Sequence, residues 1–247
     1  MTSPARSFHN RVAAIPRPFM HSRVVIFDLW DTLLTLNDPS VPGRSVAEML
    51  GVDRAAWHRA LFASDDFALG RGDGFAVFSG MIRSLRADPP EGLLRRAYDE
   101  RNRRFGWALT HVPNRILAAL GRLREAGYRL GLLSNVGTDE IAAWPRSPLR
   151  GCFDAAVFSC EVHLKKPDPA IFRLAAERLG VTPTRCCFVG DGTSHEHRGA
   201  REAGMTTILL TEHLRGEPAK IMERRGEADE VAKTLADVVR DLVAATE

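Results

Sequence analysis

Short apolar runs punctuate the chain at Val24–Phe27, Tyr128–Leu133, Ala155–Phe158, Cys186–Val189 and Thr206–Leu210. Each has the length of a strand and little alternation, the pattern of strands buried on both faces. The stretches between them have a helical period. Pro113–Ala126 places Ile116, Leu117, Leu120 and Leu123 on one face, with Pro113 near the first turn and Gly127 after the last. Pro169–Leu179 gathers Ile171, Phe172, Ala175 and Leu179 in the same way and is closed by Gly180. Strands alternating with helices predict an α/β fold with a doubly wound parallel sheet.

One interval breaks the rhythm. After Phe27 the next apolar run begins only at Tyr128, whereas a direct parallel crossover needs only about a dozen residues. The interval has helical periods over Val46–Leu61 and Phe75–Leu85, separated by Gly70-Arg71-Gly72-Asp73-Gly74. It predicts a small helical cap over residues 38–108, with Trp57, Phe62, Phe67, Phe75 and Phe78 forming its own core. Residues 23–37 and 109–247 then make the α/β core, and residues 1–22 a disordered N-terminal tail.

The 247 residues are 45% hydrophobic and 26% charged, ordinary for a globular protein. No apolar run approaches the roughly 20 residues of a membrane helix, so no membrane association is expected. A net charge of +3, with no basic helix interleaved with aromatics, argues against nucleic acid. The cysteines, Cys152, Cys160, Cys186 and Cys187, form no C-x-x-C pair. They read as free thiols of a reducing cytoplasm. The tail carries Arg6, Arg11 and Arg17, no acidic residue, and no apolar segment of a secretory signal.

The chemistry lies where the strands end. Asp28 follows the first run and Ser134-Asn135 the second. Lys165-Lys166-Pro167-Asp168-Pro169 comes after the third, and Gly190-Asp191-Gly192-Thr193, with Glu196, after the fourth. Asp28 alone reads as the cap of a turn. In a parallel sheet, however, all these ends lie on one edge, where ligands bind. Two carboxylates, a hydroxyl and a lysine suit phosphoryl transfer: one carboxylate attacks, the hydroxyl and ammonium hold phosphoryl oxygens, and Mg²⁺ cancels the repulsion between carboxylates.

At this point the chain resembles the haloacid dehalogenase superfamily, in its branch with a helical cap after the first strand. The resemblance rests on Asp28-Leu29-Trp30-Asp31-Thr32, Lys166-Pro167-Asp168-Pro169-Ala170-Ile171-Phe172 and Val189-Gly190-Asp191…Gly199-Ala200…Ala203-Gly204-Met205. It implies a hydrolase, foremost a Mg²⁺-dependent phosphatase or phosphotransferase, acting on a small phosphorylated or otherwise anionic substrate through an aspartyl intermediate on Asp28. Thr32 would support the nucleophile loop, Ser134 bind a phosphoryl oxygen and Lys166 neutralise Asp28 and substrate. Asp28, the Trp30 carbonyl, Asp191 and Glu196 would hold Mg²⁺. Trp30, Asn135 and Arg71 are the expected substrate contacts.

Trp30 departs from the pattern, because the family's phosphatases carry there a second Asp that works as general acid and base. Losing such a group costs ~10²–10⁴-fold in rate. Two alternatives follow. A 2-haloacid dehalogenase also lacks that Asp, but its metal-carboxylate segment is usually replaced, against Asp191 here. A catalytically impaired member would bind a ligand or a protein. Away from the motifs, His195 and His197 read as solvated residues at a helix start, Arg101, Arg103 and Arg104 as a solvated helix face, and Lys165 as a solvated neighbour of Lys166.

Overall fold

The computed structural model describes residues 23–214 and 218–245; the tail expected over 1–22 lies outside them. Six strands form one parallel sheet: β1 (Val24–Phe27), β2 (Arg129–Ser134), β3 (Ala155–Phe158), β4 (Cys186–Gly190), β5 (Thr206–Leu210) and β6 (Glu230–Ala232), in the order β3-β2-β1-β4-β5-β6. β1 is central, with Val24 beside Arg129 and Cys186, and Phe27 beside Leu132 and Val189. The strand order reverses at β1, which makes its carboxyl end the switch point where such sheets bind ligands. The short β6 carries no continuous apolar run, since Val231 is 36% exposed, and it escapes a reading based on such runs.

The insert after β1 carries α1 (Val46–Leu50), α2 (Arg54–Ala63), α3 (Asp65–Ala68), α4 (Gly74–Ser84) and α5 (Glu91–Thr110), and α6 (Asn114–Glu125) follows before β2. The rest are α7 (Ser159–Val162), α8 (Pro169–Arg178), α9 (Glu196–Glu202), α10 (Pro218–Arg225) and α11 (Leu235–Ala244). Period-2 alternation sorts the strand residues between two faces. Val25, Phe27, Leu130, Leu132, Cys187 and Val189 pack with α6 and α11. Val24, Ile26, Leu133, Cys186 and Phe188 pack with Ile171, Phe172 and Ala175 of α8 and Ala200 of α9. α11 starts at a capping box in which Thr234 and Asp237 satisfy each other's backbone N–H groups.

The helical insert has its own core of Val46, Trp57, Phe78, Met81, Ile82, Leu94 and Ala97, with Phe67 and Phe75 at its margin. Phe62 does not join it and is 50% exposed, on the outer face of α2. The helix expected over 46–61 is two helices, because Gly51 adopts a left-handed conformation at φ 65° and Asp53 caps α2 through the Ala56 N–H. α5 runs without a break from the insert to the sheet, where Leu109 enters the main core. No helix among the described residues is long and apolar enough to cross a membrane.

Candidate active site

The turn after β1 sets the first side chains. The Asp28 N–H continues the ladder to the Val189 carbonyl at 2.9 Å. The fully buried Leu29 then accepts through its carbonyl from Leu33 and Leu34. This tight turn, with Asp31 left-handed at φ 59°, brings Thr32 back over the strand end. Its Oγ1 donates to Asp28 Oδ2 at 2.9 Å. Asp31 is turned elsewhere and accepts from Thr35 Oγ1 at 2.5 Å.

Lys166 reaches this carboxylate from the loop before α8. Its Nζ donates to Asp28 Oδ1 at 2.6 Å and Glu196 Oε2 at 2.5 Å, and is 3.4 Å from the Leu133 carbonyl. Asn135 holds this loop in place: its Nδ2 donates to the Lys166 carbonyl at 2.9 Å and its Oδ1 accepts the Lys166 N–H at 2.8 Å. Both halves of its amide thereby bond to backbone, which makes Asn135 a support of the lysine loop. Ser134 is buried at the end of β2.

Asp191 follows β4. Its Oδ1 accepts the Thr193 N–H at 3.0 Å, and its Oδ2 accepts from Thr193 Oγ1 at 2.6 Å and Arg224 Nη1 at 2.9 Å. Glu196 comes in over Gly190, where a Cβ would lie 2.1 Å from Glu196 Oε1, so only glycine leaves it room. That same oxygen accepts the Gly192 N–H at 2.9 Å. Asp28, Asp191 and Glu196 each offer a carboxylate oxygen, and these oxygens lie within 4.8 Å of one another.

All three carboxylates are buried, and burial pushes each of them up. Lys166 opposes this at Asp28 and Glu196, and Arg224 at Asp191, while the neighbouring carboxylates add to it. Glu196 is pushed up to about 8. For Lys166, burial alone would favour the neutral amine, but Asp28 and Glu196 outweigh it and hold the ammonium above its usual range. Three buried carboxylates this close stay ionised only beside cations. The all-oxygen donor set is that of a hard divalent metal.

Trp30 stands between this site and the helical insert. Its ring meets Phe105 of α5 edge-on with centroids 4.6 Å apart, and its indole N–H is buried without a protein partner. Arg71 is not brought to the cluster: it is exposed in a turn whose glycines, Gly70 and Gly72, both have positive φ. Arg101 is no solvated residue. It is 6% exposed, its Nη2 pairs with Glu140 Oε1 at 2.5 Å, and it lies over the rings of Phe67 and Phe105. Arg104 donates to the Leu36 carbonyl, and Arg103 pairs with Glu100 at the surface. Lys165 pairs with Asp65 of α3. His195 is exposed and pairs with Glu227, but His197 is fully buried against Phe188.

Comparison with known proteins gives the same frame. The sequence model of the haloacid dehalogenase-like hydrolases matches residues 22–204. The glyceraldehyde 3-phosphate phosphatase of Methanopyrus kandleri is 32% identical over 173 residues, which are 67% of this chain and 72% of that protein. The (S)-2-haloacid dehalogenase 4A of Burkholderia cepacia is 37% identical over 93 residues, 37% of this chain and 39% of its own length. Among solved structures, a phosphatase of the superfamily from Thermococcus onnurineus superposes with a TM-score of 0.55 at 26% identity, covering 89% of this chain and 97% of that one. With a parallel six-stranded sheet, polar side chains converging at its carboxyl edge and a model match over most of its length, the chain belongs to the haloacid dehalogenase-like hydrolase family.

Proposed function

We propose that this chain is a Mg²⁺-dependent phosphatase, a phosphoric monoester hydrolase that acts on a small phosphorylated metabolite through an aspartyl intermediate on Asp28. The observation that supports it most is the buried convergence of Asp28, Lys166, Asp191 and Glu196. Asp28, Asp191 and Glu196 would hold Mg²⁺. When bound, the ion offsets negative charge on the carboxylates and the phosphoryl oxygens.

In the first step a carboxylate oxygen of Asp28 attacks phosphorus. The bond from phosphorus to the leaving oxygen breaks, its electron pair stays on that oxygen, and Asp28 becomes an acyl phosphate. Thr32 fixes the orientation of the carboxylate, and Lys166 and Ser134 hold phosphoryl oxygens. Water then attacks the phosphorus, the bond from phosphorus to the Asp28 oxygen breaks with its electron pair returning to the carboxylate, and the protons of the water leave on the inorganic phosphate. Residues 38–108 serve as the cap that keeps bulk water out.

Trp30 shapes the substrate class. It carries no transferable proton, so the leaving oxygen must depart without one from residue 30. Its unpartnered indole N–H is a hydrogen-bond donor for the substrate. Both points favour a good leaving group, such as that of an aryl phosphate among monoesters or, beyond them, of an acyl phosphate anhydride. Trp30 also favours a second reading, a 2-haloacid dehalogenase, in which Asp28 displaces halide from carbon and no leaving-group proton is needed. The three-carboxylate cluster favours the first reading, because a dehalogenase has no use for a metal site.

The test is phosphate release from acyl and aryl phosphates with and without Mg²⁺, run beside halide release from a 2-haloacid. Phosphate release that requires Mg²⁺ and vanishes in Asp28→Asn and Asp191→Asn, with unchanged circular dichroism, is the expected result. Halide release without metal would put the second reading in its place, and full activity of Asp28→Asn would sink the aspartyl intermediate.

A further inference from the structure

Arg224 was not legible as part of the site, yet it touches one of the three carboxylates. It lies on α10, 33 residues beyond Asp191, and its Nη1 donates both to Asp191 Oδ2 at 2.9 Å and to the Asp191 carbonyl at 2.8 Å. Its aliphatic stem runs over Gly192, where a Cβ would meet its Cβ, Cγ and Cδ at 2.9 to 3.0 Å. The absence of a side chain at 192, in a left-handed conformation at φ 81°, leaves the path open.

Asp191 does not need Arg224 to be oriented. Thr193 already fixes both of its oxygens, one through the backbone N–H and one through the hydroxyl. What Arg224 adds is charge. Ionised, as ligation of a metal requires, the three carboxylates carry three negative charges, and Lys166 and Arg224 return two positive ones. A divalent cation bound with Arg224 in place would tip the cluster positive. With the guanidinium moved away, the cation and Lys166 balance the three carboxylates. Arg224 has somewhere to go: its side chain is 18% exposed, against 4% for Asp191. No strand or helix among the described residues packs extensively against α10, which exposes Met222 at 67%.

We infer that Arg224 is an internal counter-cation that occupies Asp191 in the metal-free protein and is displaced when a divalent cation binds. The inference rests on the metal site proposed above and adds a competitor to it. The two possible roles of Arg224 have opposite signs. An arginine that merely orients a ligand helps the metal, and its loss weakens binding by about 10–100-fold, as for other outer partners of metal ligands. A competing cation opposes the metal, so its loss tightens binding.

The experiment is calorimetric titration of the chelator-treated full chain with Mn²⁺, and separately with Mg²⁺, in the parent, Arg224→Met, Arg224→Gln and Asp191→Asn. Thermal melts without metal check that each variant is folded. Both Arg224 variants should bind the ion more tightly, by about tenfold or more given the scale of outer-partner effects, and Asp191→Asn should lose the binding heat. Binding in the parent with equal or weaker affinity in both Arg224 variants would overturn the inference and leave the metal site standing. No binding in the parent or in either Arg224 variant would overturn the metal site, and the inference with it.

Discussion

Arg101→Met should destabilise the protein far more than any exposed arginine substitution. Arg101 Nη2 and Glu140 Oε1 are 2.5 Å apart, with side chains 6% and 4% exposed. The other Glu140 oxygen accepts the Gly137 N–H at 3.0 Å. Removing the arginine leaves a buried carboxylate without its cation, a loss of about 3–5 kcal/mol. The guanidinium also lies 4.7 Å from the Phe105 ring centroid and 5.0 Å from that of Phe67, contacts worth about 0.5–2 kcal/mol each. Arg103, which pairs with Glu100 at 50% and 21% exposure, is the internal control and should cost no more than about 1 kcal/mol. The assay is urea unfolding of the parent, Arg101→Met, Arg103→Met, Glu140→Met and the double variant Arg101→Met/Glu140→Met. The double variant removes both charges and should recover much of the loss. The pH dependence supplies a second reading. Burial pushes the Glu140 carboxyl up, and Arg101 opposes that push. Without Arg101 the carboxyl rises further, so the folded variant holds a proton that the unfolded chain has released. Its stability therefore falls as pH rises from the unfolded-state value near ~4.3 through the folded-state value, then levels off. The deficit against the parent is thus largest at neutral pH. An Arg101→Met cost no greater than that of Arg103→Met, or a double variant no better than the sum of the singles, would refute this account.

His197 carries the opposite dependence. Burial against Phe188 pushes its pKa down to about 3, so the unfolded chain takes up a proton there that the folded chain refuses. Stability from this group is complete above about 6.5, the unfolded-state value, and is lost as pH falls toward 3. His197→Phe should lose less stability than the parent between pH 6.5 and 4 in urea melts, and an unchanged slope would contradict the assignment. Gly199→Ala tests the seat of Lys166. A Cβ there would lie 2.0 Å from the Pro167 carbonyl oxygen and 2.9 Å from Phe172, so α9 must move from the loop that carries the lysine. A loss of about 1–3 kcal/mol is expected, together with a fall in turnover. Parent-like stability and turnover would show that this packing is slack.

What the sequence disclosed follows from how each feature is encoded. Five strands were legible because a parallel sheet covered on both faces demands continuous apolar runs, and Val24–Phe27 or Cys186–Val189 can hardly be anything else. β6 was not, because of its three residues only Ala232 is buried and they carry no such run. The placing of Asp28, Thr32, Ser134, Lys166, Asp191 and Glu196 on one edge was legible because each lies at or beyond the end of a strand, and the topology carries strand ends to that edge. The residues that escaped meet only through tertiary approach. Nothing in the spacing of Arg101 and Glu140, or of Asp191 and Arg224, marks them as partners. His197 looked solvated because its neighbours in sequence are polar, yet α9 turns it inward onto Phe188.

The contacts of the helical insert show why these unforeseen pairs bear on the site. Three of the four segments that carry a key side chain have their own tie to the insert, the Asp191–Glu196 segment being the fourth. The turn after Asp28 is tied through Trp30 to Phe105. The segment after Ser134 is tied twice, by the Tyr98 hydroxyl on Asp139 and by Arg101 on Glu140. The loop leading to Lys166 is tied by His163 Nδ1 on the Leu69 carbonyl at 2.8 Å and by Lys165 on Asp65. Lifting the insert therefore breaks a buried ion pair and an aromatic contact, and it loosens the three loops together. If residues 38–108 act as the proposed cap, closure and the alignment of Asp28, Ser134 and Lys166 are in this way one event. Trp30 belongs to that seam. A carboxylic acid at position 30 could exchange protons but could not pack on Phe105, so the substitution exchanges proton transfer for a fixed wall. A buried N–H without a partner costs about 1–3 kcal/mol, and under the proposed mechanism a substrate oxygen accepting from the Trp30 indole would recover that cost on binding. Under the proposed phosphatase mechanism, position 30 keeps a donor while giving up an acid, and the leaving group would have to supply the rest.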